Sequence, residues 1–162
     1  MIQNKMTSCM IGAVWGQKGA ANMEEYRHKV QYYETDKMGI THHSNYIRWM
    51  EEARIDFLSQ IGFSYAKLEE MGVISPVLSV ACRYLQTTTF DDEIRVNVGV
   101  SEFRGVKLQL SYTMKNMEGH IVCEATSEHA FLNREGHPVR MKKEFPELYV
   151  ALFDYRHEES EG

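Results

Sequence analysis

The chain has 162 residues, 43% of them hydrophobic and 25% charged, with only three prolines. That length suits one domain with a sizeable core, and the composition excludes wholesale disorder. With 18 basic and 23 acidic residues the net charge is −5, which argues against a dedicated nucleic-acid surface.

Cys9, Cys82 and Cys123 are odd in number, far apart and without a CxxC. They suggest neither a disulfide framework nor a zinc knuckle, and they suit a reducing cytoplasm. Residues 1–22 contain Lys5 and Lys18 and no acid, so without them the chain carries −7. The apolar run Cys9–Trp15 is glycine-broken and far shorter than the roughly 20 residues of a membrane span. Segment 1–22 is expected to be a disordered extension, or a start placed too early, ahead of a domain over 23–152. Residues 153–162 read as an acidic tail.

From Met23 the elements follow in order. Tyr26–Tyr33 is rich in strand formers and ends at the loop Glu34–Gly39. Ser44-Asn45 offers a helix cap, and the next 16 or so residues run without Pro or Gly until Gly62. A shorter helix is expected over Tyr65–Met71, stopped by Gly72. After Pro76 the period changes to two. Ile94, Val96, Val98 and Val100 alternate with polar residues or glycine, and Val106, Leu108, Leu110, Tyr112 and Met114 do the same. Turns at Arg104-Gly105 and Glu118-Gly119 make these a meander. Cys123–Leu132 is a further strand, and Pro146 opens a terminal helix. One long helix beside four or five antiparallel strands predicts an α+β domain, with the helix laid on the sheet.

At 100° per residue, Tyr46, Met50, Ala53, Phe57 and Ile61 centre one helix face, flanked by Trp49 and Leu58. Arg48, Glu52, Asp56 and Ser59 fall opposite, with Arg48 and Glu52 spaced as an i, i+4 pair. Arg54 projects into the apolar side and needs an anion, which Glu51 at i−3 is placed to supply.

Asp36 lies in a tight loop after a strand, and a helix begins about seven residues later. The first N–H groups of a helix lack intrahelical partners and carry the positive end of its dipole. An oxyanion developing there is stabilised while Asp36 attacks or activates water. By spacing alone, a turn or cap role for Asp36 competes with this one. His42-His43 lacks the spacing of a helical metal pair, so no metal is expected. No GxSxG elbow and no phosphate-cradling glycine loop is present. Arg83, Arg104 and Lys107 are candidate phosphate contacts, Arg104 and Lys107 being the better pair because they flank a turn.

The string Tyr33-x-Thr35-Asp36-x-x-Gly39-Ile40-x-x-His43-x-x-Tyr46-x-x-x-x-Glu51-x-Ala53-Arg54 resembles a known signature. It is that of the 4-hydroxybenzoyl-CoA thioesterase-like family of hotdog-fold proteins, in particular the Tol–Pal-associated short-chain acyl-CoA thioesterases. Cys82-Arg-Tyr-Leu-Gln86 and Phe90-Asp-Asp-Glu-Ile-Arg-Val96 resemble its second block, and the likeness extends from residue 23 to Pro146. The chain departs from the pattern at Thr41-His42 and Gln86-Thr87.

The resemblance implies a central helix wrapped by an antiparallel sheet of about five strands. It implies a homodimer or homotetramer with active sites at the subunit interface. Asp36 matches the nucleophile or general base, and His43 the residue whose backbone N–H receives the thioester carbonyl. Tyr46 matches an aromatic lining position and Glu51 an acidic one near the acyl end. Arg104 and Lys107 stand as substrate-binding candidates for the CoA phosphates. No cofactor is implied, since CoA arrives as part of the substrate. The expected activity is cytoplasmic acyl-CoA hydrolysis to free acid and CoA. The alternatives are hydrolysis of an acyl-carrier-protein thioester and a non-catalytic acyl-CoA-binding module.

Overall fold

The structure is a computed structural model that describes residues 23–156. The expectation for 1–22, and that for the tail beyond 156, lie outside the described residues. β1 (Tyr26–Lys29) is shorter than expected because Tyr32–Glu34 closes into a 3-10 turn. Helices α1 (Ser44–Gln60) and α2 (Tyr65–Met71) follow at the expected places. Ser64 caps α2 by accepting the Lys67 N–H at 3.3 Å, and Gly72 ends it at φ +74°. The Ser44-Asn45 cap does not form, since both residues lie inside the first turn of α1. There the His42 Nδ1 accepts the Ser44 N–H at 3.3 Å in place of a hydroxyl cap.

Strands β2 (Val77–Tyr84), β3 (Glu93–Phe103), β4 (Lys107–Lys115) and β5 (Ile121–Ala130) complete one antiparallel sheet. Its order is β1-β3-β4-β5-β2. β3, β4 and β5 are the expected meander, turned at Gly105 (φ +79°) and Gly119 (φ +87°). The long connection through α1 and α2 carries the chain from β1 to the far side of the sheet, so β2 pairs with β5 alone. Every β2 residue except Cys82 is exposed.

The alternation in β3 and β4 buries Ile94, Val96, Val100, Leu108, Leu110, Tyr112 and Met114. Tyr46, Trp49, Met50, Ala53, Phe57 and Leu58 of α1 join them in the core, as the helical spacing predicts. Fully burying one such large side chain stabilises by roughly 1.5–3 kcal/mol, which is why this face holds α1 to the sheet.

Two expected ion pairs are absent among the described residues. Glu52 does not pair with Arg48; it accepts the Tyr26 phenol at 2.6 Å, a contact that also fastens α1 to β1. Glu51 does not pair with Arg54, because Glu51 lies on the exposed edge of the helix and the half-buried Arg54 turns inward. Its charge acts there on Tyr112 and His129.

α3 (Met141–Glu144) and α4 (Pro146–Asp154) close the domain, with Pro146 opening α4. Tyr155 packs edge-on against Phe57 at 5.9 Å between centroids, so the packed chain runs past residue 152. A five-stranded antiparallel sheet wrapped along one long helix is the α+β hotdog architecture.

Candidate active site

Asp36 sits near the tip of a small hairpin between the 3-10 turn and α1. The Asp36 N–H donates to Ile40 O at 2.9 Å, and the His42 N–H donates to Glu34 O at 2.8 Å. Gly39, at φ +75°, turns the tip with its N–H on Asp36 O at 2.9 Å. Glycine enters that region without a Cβ penalty. The hairpin is clamped to the segment before β3. The Thr41 N–H donates to Thr88 O at 2.8 Å and the Thr89 hydroxyl to Gly39 O at 2.7 Å. Thr41, one of the departures from the family pattern, adds a 2.6 Å hydroxyl contact with Thr88.

The Asp36 carboxylate is half-buried, and its Oδ1 accepts the Met38 N–H at 2.8 Å. Oδ2 has no hydrogen bond among the described residues, so one oxygen is free to take a proton or attack. His43 is the residue immediately before α1, and its N–H donates to no group among the described residues. It lies at the positive end of a 17-residue helix. The arrangement provides a carboxylate with a free lone pair and a helix N-terminus with a free donor, joined by one rigid loop. That pairing suits addition to a carbonyl whose oxygen becomes negative.

The side chains around His43 form an aromatic wall. The rings of His42 and His43 lie 4.2 Å apart, and Tyr84 meets Tyr46 at 5.0 Å. Tyr46 is buried, with its phenol 3.0 Å from the Thr88 hydroxyl. Burial holds that phenol above its ordinary pKa, so it stays protonated. Tyr46 therefore supports the wall from behind.

Glu51 stands apart. It is eight residues past His43, about 12 Å along the helix at 1.5 Å per residue. It lines a cavity of about 650 Å3 with Arg54, Leu58, Tyr65, Leu68 and Val77. Arg104 and Lys107 are more distant. They lie beyond the C-terminal end of β3, while the Asp36 hairpin is clamped just before its start. The length of β3 separates them by about 30 Å at ~3.3 Å per residue. Arg104 pairs with Glu102, and Lys107 is exposed. Within this chain the fold joins Asp36, His43 and Tyr46, and it does not bring Glu51, Arg104 or Lys107 to them.

Three contributors escaped sequence reasoning. Asn45 donates its amide to Glu34 O at 2.9 Å and to His42 O at 3.2 Å. Tyr84 donates its phenol to His43 O at 3.1 Å. Glu34 is a carboxylate only 4% exposed. Its one sequence signal is the spacing from Gln31, whose N–H it accepts at 2.8 Å in the manner of a capping-box acid. No cluster of three or more metal-ligating side chains occurs among the described residues.

The description "Thioesterase-like superfamily" matches this chain over residues 30–151. A Bacillus subtilis protein named "Putative acyl-CoA thioesterase YneP" is 33% identical over 124 residues, covering 76% of this chain and 90% of its own. A 1,4-dihydroxy-2-naphthoyl-CoA hydrolase of Thermosynechococcus vestitus is 27% identical over 139 residues, 85% of this chain and 93% of its own. Among solved structures, a DHNA-CoA thioesterase from Staphylococcus aureus superposes with a TM-score of 0.75 at 30% identity. That match covers 79% of this chain and 87% of the other. The matched span and the shared fold agree: the chain belongs to the thioesterase-like superfamily of hotdog proteins.

Proposed function

We propose that this protein hydrolyses an acyl-CoA thioester to the free acid and CoA, with Asp36 as the reacting carboxylate. The supporting observation is the free Asp36 oxygen in a loop rigidly tied to the unengaged His43 N–H. As general base, Asp36 takes a proton from water as the water oxygen adds to the carbonyl carbon. The oxyanion is received at His43. The C–S bond then breaks, and the proton passes to the departing thiolate to give CoA thiol. As nucleophile, Asp36 adds directly, expels the thiolate and forms a mixed anhydride that water cleaves. Both routes need only a carboxylate, a donor and water.

The working unit in this reading is a homo-oligomer. β2 leaves a strand edge with Val77, Leu78, Val80 and Tyr84 exposed, the kind of edge a second copy pairs with. In this reading, pairing there brings a second copy's Glu51 cavity, and cations such as Arg104 and Lys107 for CoA, toward Asp36. No helix among the described residues is long and apolar enough to cross a membrane.

The test is a thiol-release screen over acetyl-, isobutyryl-, palmitoyl- and benzoyl-CoA. Saturable release is expected, falling at least ~100-fold in Asp36→Asn, the scale of a lost general base. Acyl-CoA binding without thiol release, or native turnover in Asp36→Asn, overturns the reading.

A further inference from the structure

Glu34, two residues before Asp36, closes the 3-10 turn and is held from five directions. Its Oε2 accepts the Gln31 N–H at 2.8 Å and its Oε1 the Trp49 indole N–H at 2.9 Å. His28 Nε2 lies 2.8 Å from Oε2 and 3.1 Å from Oε1. The Glu34 carbonyl accepts the His42 N–H and the Asn45 amide.

The carboxylate is ionised at neutral pH. Burial alone raises its pKa, but the Gln31, His28 and Trp49 donors outweigh burial and hold it below the ordinary carboxylate value. An ionised carboxylate only accepts, so His28 Nε2 carries the proton. The His28 ring also lies over Trp49 at 4.7 Å, and its Nδ1 is 3.5 Å from Glu52. The partners of Glu34 are thus packed and oriented in their turn.

A buried charge is a poor device for filling space. Desolvating it is costly, and an apolar side chain of similar volume often packs as well or better. What an apolar residue lacks is direction. The Glu34 carboxylate ties β1 through His28, the turn through Gln31 and α1 through Trp49. Its carbonyl closes the base of the hairpin that carries Asp36. Asp36 is two residues beyond Glu34, and His43 is one residue beyond the bonded His42. The same residue therefore sets where the carboxylate stands and where the helix donor begins.

We propose that Glu34 is the positioning residue of this site, fixing Asp36 relative to the His43 N–H. This rests on the reading of Asp36 given above. Reactive groups tolerate about 0.5 Å of misplacement, and a 1 Å error costs on the order of 100-fold in rate. Substrate affinity is not set by Glu34, whose carboxylate faces the protein interior.

The experiment compares Glu34→Gln, Asp36→Asn and the double variant, using the acyl-CoA of the panel that the native enzyme turns over fastest. Glu34→Gln keeps the size and removes the charge. The expected result is a kcat lower by ~10–100-fold with KM within about threefold, the signature of lost positioning. In the Asp36→Asn background Glu34→Gln is expected to add less than about twofold, because residues acting as one unit are not additive. If Glu34→Gln fails to fold, Trp49→Phe removes the helix-side donor, together with part of a buried ring, and is expected to show the same split and the same silence. Native kcat in these variants while Asp36→Asn is inactive overturns the proposal alone. A loss that multiplies with that of Asp36→Asn also overturns it, since a merely structural defect behaves that way. Native turnover in Asp36→Asn removes the catalytic reading and the proposal together.

Discussion

The Tyr84 phenol, on the free edge strand β2, donates to the carbonyl of His43 at 3.1 Å, immediately before α1. The residue proposed as the oxyanion donor is thus tethered through its C=O to a strand at an open edge of the sheet. In the proposed reading, subunit pairing along β2 and the geometry of the oxyanion donor share one hydrogen bond.

Tyr84→Phe tests that link. Removing one hydroxyl at a partly exposed site is expected to cost about 0.5–1.5 kcal/mol of stability. The larger effect is expected in kcat, a loss of roughly 3–10-fold with KM little changed, because His43 loses its tether. Thermal unfolding and steady-state kinetics read the two separately. Burial, reinforced by the neighbouring Cys82 thiol, pushes the Tyr84 pKa up to about 12. The bond should therefore persist throughout the neutral and mildly alkaline range.

Val80 tests the open edge. It is 38% exposed at the middle of β2, where a second sheet edge would seat. Val80→Lys places a charge there, a device by which natural edge strands resist pairing. The variant is expected to sediment as a monomer, fold with its far-ultraviolet spectrum unchanged and lose at least ~10-fold in turnover, if sites are completed across subunits. A monomeric variant with native turnover sinks the shared-site reading.

His129 gives a pH prediction. It is 1% exposed, bonded through Nε2 to the Ser127 hydroxyl at 2.7 Å, which in turn meets the Tyr112 phenol at 2.9 Å. Burial, then the charge of Arg54, lowers its pKa to about 4 from an ordinary 6.5. Between these values the unfolded chain binds the proton and the folded one does not. Stability is therefore full above 6.5 and declines as pH falls toward 4. The loss at pH 5 is about 2 kcal/mol relative to pH 7, from ~1.36 kcal/mol per pKa unit. Urea unfolding at the two pH values measures it, and His129→Gln is expected to flatten that dependence.

How much of this was legible in the sequence follows from range. Ser64, Gly72 and Pro146 act on residues within one turn, and they mark α2 and α4 where the structure has them. Alternation in Ile94–Val100 and Leu108–Met114 needs only a sheet with one covered face, and those residues are buried almost throughout. The placement of Asp36 in a loop ahead of α1, with His43 at the helix start, is legible because one short segment carries both. Glu34 was not, since its carboxylate is defined by His28 and Trp49, six residues before it and fifteen after. Arg54 misled for a related reason. Helical spacing allows Glu51 as its partner, but Glu51 lies on the exposed edge of α1 while Arg54 is half-buried, near enough to Tyr112 and His129 for its charge to act on both.

The sequence by itself determined one acidic domain, a long amphipathic helix, a β-meander and a loop aspartate ahead of a helix start. Each is a local property, written in spacing and in the few residues that cap or turn a chain. Only the tertiary structure decided that β2 lies at the open edge, that Tyr84 reaches His43, and that a buried carboxylate two residues from Asp36 holds the loop. These depend on pairs far apart in the chain. A polar group is tolerated inside a protein only where such distant partners meet it, and no periodicity records which partners those are.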